Sequence, residues 1–320
     1  PVLPLYAKNE LGAAAWQITS LTSVYFAASF LAGPYLGRLS DRLGRRPVLI
    51  ASQAGTLAAL LLTGFAPAFW LLYVARLIDG VTGGNISVAQ AYLSDITSER
   101  DRAKGLGLIN ASFSLGFVFG PAFGSVLASL YGPRLPFFAA AAFSLLTVLL
   151  SVFLLPESLT AQRREALRAQ AAGPARSNWQ LLRLPSLALL LFIIFGVNLG
   201  FFAFQSTYVL WLERLALPEQ PETVVLQAVG ALLTAVGLFG IAAQTWLVGP
   251  LIRRFGEKHL AIFGNLARGA AFGVMAFFPS LMAAIVAVPL ISVGGGVALP
   301  ALIALLTFTA PPADRGRVIG

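Results

Sequence analysis

Cysteine is absent, histidine occurs once, and charged residues make up only 11% of the chain. Without cysteine there is no disulfide framework, no thiolate nucleophile and no thiolate metal site. The lone His259 cannot build a His-based metal site or a His pair, and it reads as a helix-end residue. Lacking both Cys and a second His, the chain cannot assemble the usual nucleophile–base pairs, so an enzyme is not expected. A carboxylate-only hydrolase would have to rest on Asp79, the single deep acid. No Gly-Lys pair occurs anywhere, which removes the phosphate loop of an ATP-driven pump. The same inventory offers no metal or cofactor site.

What the chain has is apolar surface. Hydrophobic residues reach 58% and mean hydropathy is +0.81, whereas a soluble domain carries about 25% charged residues. A polytopic helical membrane protein has little water-facing surface to cover, and that is the class implied. Nine spanning helices are expected near 14–36, 47–65, 69–92, 104–130, 136–155, 186–212, 224–250, 259–278 and 281–308. Alternation then places 17 of the 22 Lys and Arg on the side of "GRLSDRLGRRP" (37–47) and three on the other, with Arg76 and Arg268 inside spans. By the positive-inside pattern the rich side is cytoplasmic. The net charge of +9 is therefore a topology signal, not a nucleic-acid footprint, which would need a basic patch on a soluble domain.

The chain also repeats itself. "GRLSDRLGRR" at 37–46 returns as "GPLIRRFGEK" at 249–258, and Phe65 and Pro67 return at the same offset as Phe277 and Pro279. "DRAKGLG" at 101–107 is echoed by "DRGRVIG" at 314–320. Two halves in the same orientation are a parallel repeat about an axis along the membrane normal, an architecture of secondary transporters. The expected division is 1–155, a linker at 156–185 with one amphipathic helix, and 186–320.

Three ordered motifs carry a family resemblance. Gly37, Leu39, Asp41, Arg42, Gly44, Arg45 and Arg46 match G-x-L-x-D-R-x-G-R-[KR]; Arg76, Gly80, Gly83 and Gly84 match an Arg-then-small-residue pattern; Gly116, Gly120, Pro121 and Gly124 match G-x-x-x-G-P-x-x-G. "VLPLY" and "PES" (156–158) resemble the ends of flanking helices. On these residues the chain resembles the major facilitator superfamily, and within it the drug/proton antiporters of tetracycline-exporter type. The resemblance implies an all-α membrane bundle of two parallel six-helix repeats, of which the nine helices are the second to the tenth of twelve. The chain is thus expected to be an internal part of a longer protein.

It also implies a proton-driven exporter of a small amphipathic molecule or drug. Such a carrier is a monomer in a plasma (inner) membrane and uses the proton gradient in place of a cofactor. Asp41 is expected to latch onto the N-terminus of the family's eleventh helix, where a carboxylate meets the positive end of the helix dipole. The motif arginines are expected to pair with Asp95. Arg76 lies about 10 Å into the membrane from Phe69, and Asp79 shares its helix face. Arg268 lies about 15 Å beyond Lys258. Intramembrane charges of this kind are pathway candidates, as are the polar residues Asn198, Gln205 and Gln244; Gln205 and Gln244 resemble cavity-lining positions. Gly116, Gly120 and Gly124 form a stripe suited to close helix packing, kinked by Pro121. A uniporter or proton symporter for a small metabolite, or a transport-inactive fragment, is the alternative on the same fold.

Overall fold

A computed structural model describes residues 2–98, 102–160 and 184–309. The amphipathic helix expected in the linker and the echo at 314–320 lie outside the described residues. Among the described residues every element is helical. They pack as two units, 2–113 with 130–160, and 114–129 with 184–309.

The first unit begins with α1 (Val2–Asn9) and α2 (Ala15–Leu43). A single glycine, Gly44, separates α2 from α3 (Arg45–Phe65). At φ 111° and ψ 158° it holds a conformation that side chains with a Cβ avoid. The signature expected as a loop is therefore the last two turns of α2, one elbow residue and the start of α3. Next come α4 (Trp70–Gly83) and α5 (Ile86–Ile96). One helix over 69–92 was expected here. Gly84 and Asn85, both poor helix formers, interrupt it directly after Gly83. The unit closes with the two ends of α6 (Arg102–Tyr131) and with α7 (Leu135–Leu154). Tyr6 ties its base together. The ring is fully buried, its hydroxyl donates to the Ala66 carbonyl at 3.2 Å, and Phe137 lies 5.4 Å away.

The second unit holds the middle of α6, then α8 (Pro185–Trp211), α9 (Glu222–Ala242), α10 (Val248–Phe277) and α11 (Leu281–Thr309). Helices α8 and α9 each end in a wider, π-type turn, at Leu212–Ala216 and Ala243–Leu247. Helix α10 is two helices meeting at Gly256, with φ 75° and ψ 161°. The "GPLIRRFGEK" copy thus reproduces the backbone elbow of the first, glycine on glycine. At the crossing of α10 and α11 a Cβ added to Gly264 would stand 2.7 Å from the Gly294 carbonyl oxygen, so only glycine permits this approach. The "GGG" at 294–296 therefore serves packing within an unbroken helix.

Six stretches of the described chain are long and apolar enough to cross a membrane, the longest being Glu222–Phe277. That one contains two crossings, because Gly256 divides it. Helix α2 falls short although residues 15–37 carry no charge, because Gln17, Thr19, Ser20, Thr22, Ser23 and Ser29 lower its hydropathy, and the α4–α5 span because it is broken. Large apolar side chains such as Phe30, Phe153 and Trp246 stand 73–79% exposed, as a lipid-facing surface requires.

Candidate functional site

The α2–α3 elbow carries a dense ionic network. Arg45, the first residue of α3, is only 6% exposed. Its guanidinium meets the Asp41 carboxylate at 2.6 Å, the Asp95 carboxylate at 3.2 Å and the Ser40 hydroxyl at 2.5 Å. A buried cation held by two carboxylates is stable only as a set, since removing one partner of a buried pair typically costs about 3–5 kcal/mol. Asp95 sits at the end of α5, as expected, and accepts a further bond from Ser158 at 3.4 Å. Of the arginines in the signature, Arg45 is its ion-pair partner. Arg46 donates to the Val152 carbonyl instead, and Arg42 is solvent-facing. Asp41 keeps 41% of its side chain exposed, so one side of the carboxylate is free of Arg45. Leu39 is exposed, and Gly37 has open space where a Cβ would be.

Glu157 completes the network. Its two oxygens accept the backbone N–H groups of Arg45, at 2.9 Å, and Arg46, at 3.2 Å. These are unsatisfied donors at the start of α3, and the carboxylate faces the positive end of that helix's dipole. Tyr92 fixes the same segment by donating to the Pro156 carbonyl at 3.0 Å. The start of the expected linker is therefore pinned to α3 and α5, with Leu159 buried. Sequence reasoning missed Glu157 as a cap. The one available signal is an acid in "PES" directly after a spanning helix.

In α4, Arg76 and Asp79 pair at 3.4 Å and are 18% and 15% exposed. The glycines that follow let α4 press against α2. A Cβ on Gly80 would stand 2.6 Å from both the Tyr25 carbonyl oxygen and the Ala28 Cβ, and Ser29 donates to the Gly80 carbonyl at 3.0 Å. Gly83 faces the Tyr25 hydroxyl and Gly84 faces Gly33. The motif thus places a charged pair in a region locked by close backbone contact.

In the second unit, Arg268 is only 7% exposed. Its stem lies along Gly294, where a Cβ would stand 2.8 Å from Arg268 Cγ, and its guanidinium lies 5.4 Å from the Phe201 ring centre. Phe201 in turn neighbours Phe117, at 6.3 Å. Asn198, Phe201 and Gln205 recur at helical spacing on one stripe of α8. Asn198 donates to its own helix, at the Ile194 carbonyl, and Gln205 is half-buried. Gln244 lies in the wide turn ending α9; it is exposed, its stem near Gly296. Among the described residues no carboxylate pairs with Arg268.

The glycine stripe of α6 behaves differently from expectation. Open space lies where a Cβ on Gly116 or Gly120 would be. The close approach within this unit comes from α9, where a Cβ on Gly237 would stand 2.7 Å from Val118 and one on Gly230 2.8 Å from Ser125. Those two glycines are seven residues, two turns, apart. Pro121, buried, removes a donor from α6, and Thr234 donates to the Val118 carbonyl at 3.0 Å in the turn that is weakened. His259, exposed, donates from Nδ1 to the Phe255 carbonyl at 2.9 Å, beside the Gly256 corner.

These features, an elbow of buried charge, a charged pair within a span and a repeated glycine corner, coincide with a match of the Major Facilitator Superfamily family model to residues 1–320. The chain belongs to the major facilitator superfamily. It is 34% identical to the class C tetracycline resistance protein of Escherichia coli, over 94% of this chain and 74% of that protein. With the class B protein of Escherichia coli the figures are 31%, 100% and 78%. Multidrug resistance protein 2 of Bacillus subtilis is 28% identical over 91% of this chain and 70% of its own. The crystal structure of the nucleoside transporter NupG superposes with a TM-score of 0.72 at 17% identity, covering 100% of this chain and 80% of that one. The superfamily member described here is thus a multi-pass membrane transporter of exporter type, not an enzyme.

Proposed function

We propose that this chain provides the core of a proton-coupled exporter of small amphipathic molecules that works by alternating access in a plasma (inner) membrane, with its basic elbows cytoplasmic. The observation that carries the reading is the Arg76–Asp79 pair, a shielded carboxylate inside an otherwise uncharged helix and held by one cation. Intramembrane acids of this kind mark proton relays. The likeness to tetracycline and multidrug resistance proteins supports an outward direction and a drug-like cargo. In this reading 1–155 and 186–320, joined by 156–185, are the two repeats whose reorientation carries transport, as in parallel-repeat transporters. The half-exposed Asp41 carboxylate is the cytoplasmic latch. Asn198, Gln205, Gln244 and Arg268 line the pathway.

The test uses inverted membrane vesicles containing the full-length protein under an imposed proton gradient. Substrate addition releases protons in the wild type. Asp79→Asn abolishes release, and Asp41→Asn abolishes transport while leaving membrane insertion intact. Normal flux in the Asp41→Asn protein would remove the latch, and a panel of amphipathic compounds of every charge that elicits no proton release would remove the antiport reading.

A further inference from the structure

Asp41, Arg45, Asp95 and Glu157 at the elbow and Arg76 and Asp79 in α4 all have named partners, but one buried cation does not. Arg268 is more than nine-tenths buried. Among the described residues it has no carboxylate within ion-pair range and no hydrogen-bond acceptor. Arginine stays protonated under all working conditions, so burial cannot be relieved by loss of the charge. Its one specific neighbour is the Phe201 ring, whose face attracts a cation but neutralises none of its charge. A buried charge without a counter-charge is maintained only where something else supplies the missing anion.

The arginine stem is fixed by close packing: a Cβ on Gly294 would stand 2.8 Å from its Cγ and one on Gly295 3.9 Å from its Cδ. Phe201 offers its ring face to the guanidinium, and Phe117 stands next to Phe201. Asn198 and Gln205, on the stripe of α8 that carries Phe201, add neutral donors and acceptors. Fixed cation, aromatic wall and neutral amides together fit a carboxylate or similar planar anion attached to an aromatic body, which a guanidinium engages through two parallel hydrogen bonds.

We infer that Arg268 is the substrate-charge selector of this transporter and that the exported molecules are aromatic organic anions. The inference rests on the export reading and adds the charge of the cargo. It also gives the cargo a driving force, because a membrane potential negative inside pushes an anion outward.

Equilibrium dialysis of the purified full-length protein tests it with three probes of one shape: 1-naphthoate, 1-naphthamide and 1-naphthylmethylammonium. The wild type binds naphthoate at least tenfold tighter than either comparator. Arg268→Gln removes that preference while leaving naphthamide binding in place, and Arg268→Lys keeps part of it. Absent or unselective naphthoate binding in the wild type overturns the inference. So does a preference that survives Arg268→Gln, or a loss of naphthamide and naphthoate binding together, which marks a structural arginine. Selective naphthoate binding without proton release from inverted vesicles would instead sink the proton-coupled export reading and leave anion recognition standing.

Discussion

Replacing Glu157 separates a local cap from an incidental surface contact. Each of its two oxygens accepts a backbone N–H at the start of α3, at 2.9 and 3.2 Å. A hydrogen bond to a charged group contributes about 1.5–3 kcal/mol, and a carboxylate at a helix N-terminus adds about 0.3–1 kcal/mol when exposed. The first bond is partly buried and the second exposed, so the second is discounted heavily for solvent screening. Glu157→Ala is therefore expected to destabilise the unit by about 2–3 kcal/mol. Glu157→Gln, which keeps one acceptor oxygen and loses the charge, costs about 1 kcal/mol. The assay is the denaturation midpoint of the purified protein in detergent, followed by the helical circular dichroism signal. Hydrogen exchange at the Arg45 and Arg46 amides localises the effect. If Glu157→Ala matches the wild type in both readouts, or if the Gln variant is as damaged as the Ala variant, the capping account fails.

Two further outcomes follow from the packing. Arg45→Met leaves Asp41 and Asp95 facing each other without their cation and is expected to lower stability by more than 3 kcal/mol; adding Asp95→Asn to it recovers part of the loss, which a double-mutant cycle in the same denaturation assay reads as non-additivity. Gly237→Ala places a Cβ 2.7 Å from Val118 and is expected to cost about 1–3 kcal/mol, whereas Gly120→Ala meets open space and is neutral or stabilising by up to about 1 kcal/mol; equal midpoints for the two variants would show that α6 and α9 are not in tight contact.

Much of the ionic elbow was legible because its partners are written as charges in an uncharged chain. Asp95 stands out at the end of an apolar span, and Arg45 reaches it. Glu157 was not legible, since its partners are backbone N–H groups more than a hundred residues away and leave no side-chain pattern. The second elbow could be read from the repeat, as glycine recurs at the same offset. The break after α4 was written in Gly84 and Asn85, but the apolar run on both sides outweighed it. Small-residue spacing proved ambiguous in α6. A stripe shows that a helix can be approached, and only the structure shows that the closest approach within this unit comes from Gly230 and Gly237. The wide turns at 212–216 and 243–247 have no sequence rule to announce them.

The two glycine corners have the same backbone shape and opposite mechanics. At Gly44 any bending must stretch ion pairs and pull a carboxylate from a helix end. At Gly256 the neighbouring Arg253, Arg254, Glu257 and Lys258 make no ion pair among the described residues, and nothing stands within 4 Å of where a side chain would begin. One corner is riveted and the other is bare, so the compliance of a duplicated fold is concentrated in one copy. Salt reaches the first corner's pairs only weakly, because Arg45 and Asp95 are shielded from solvent.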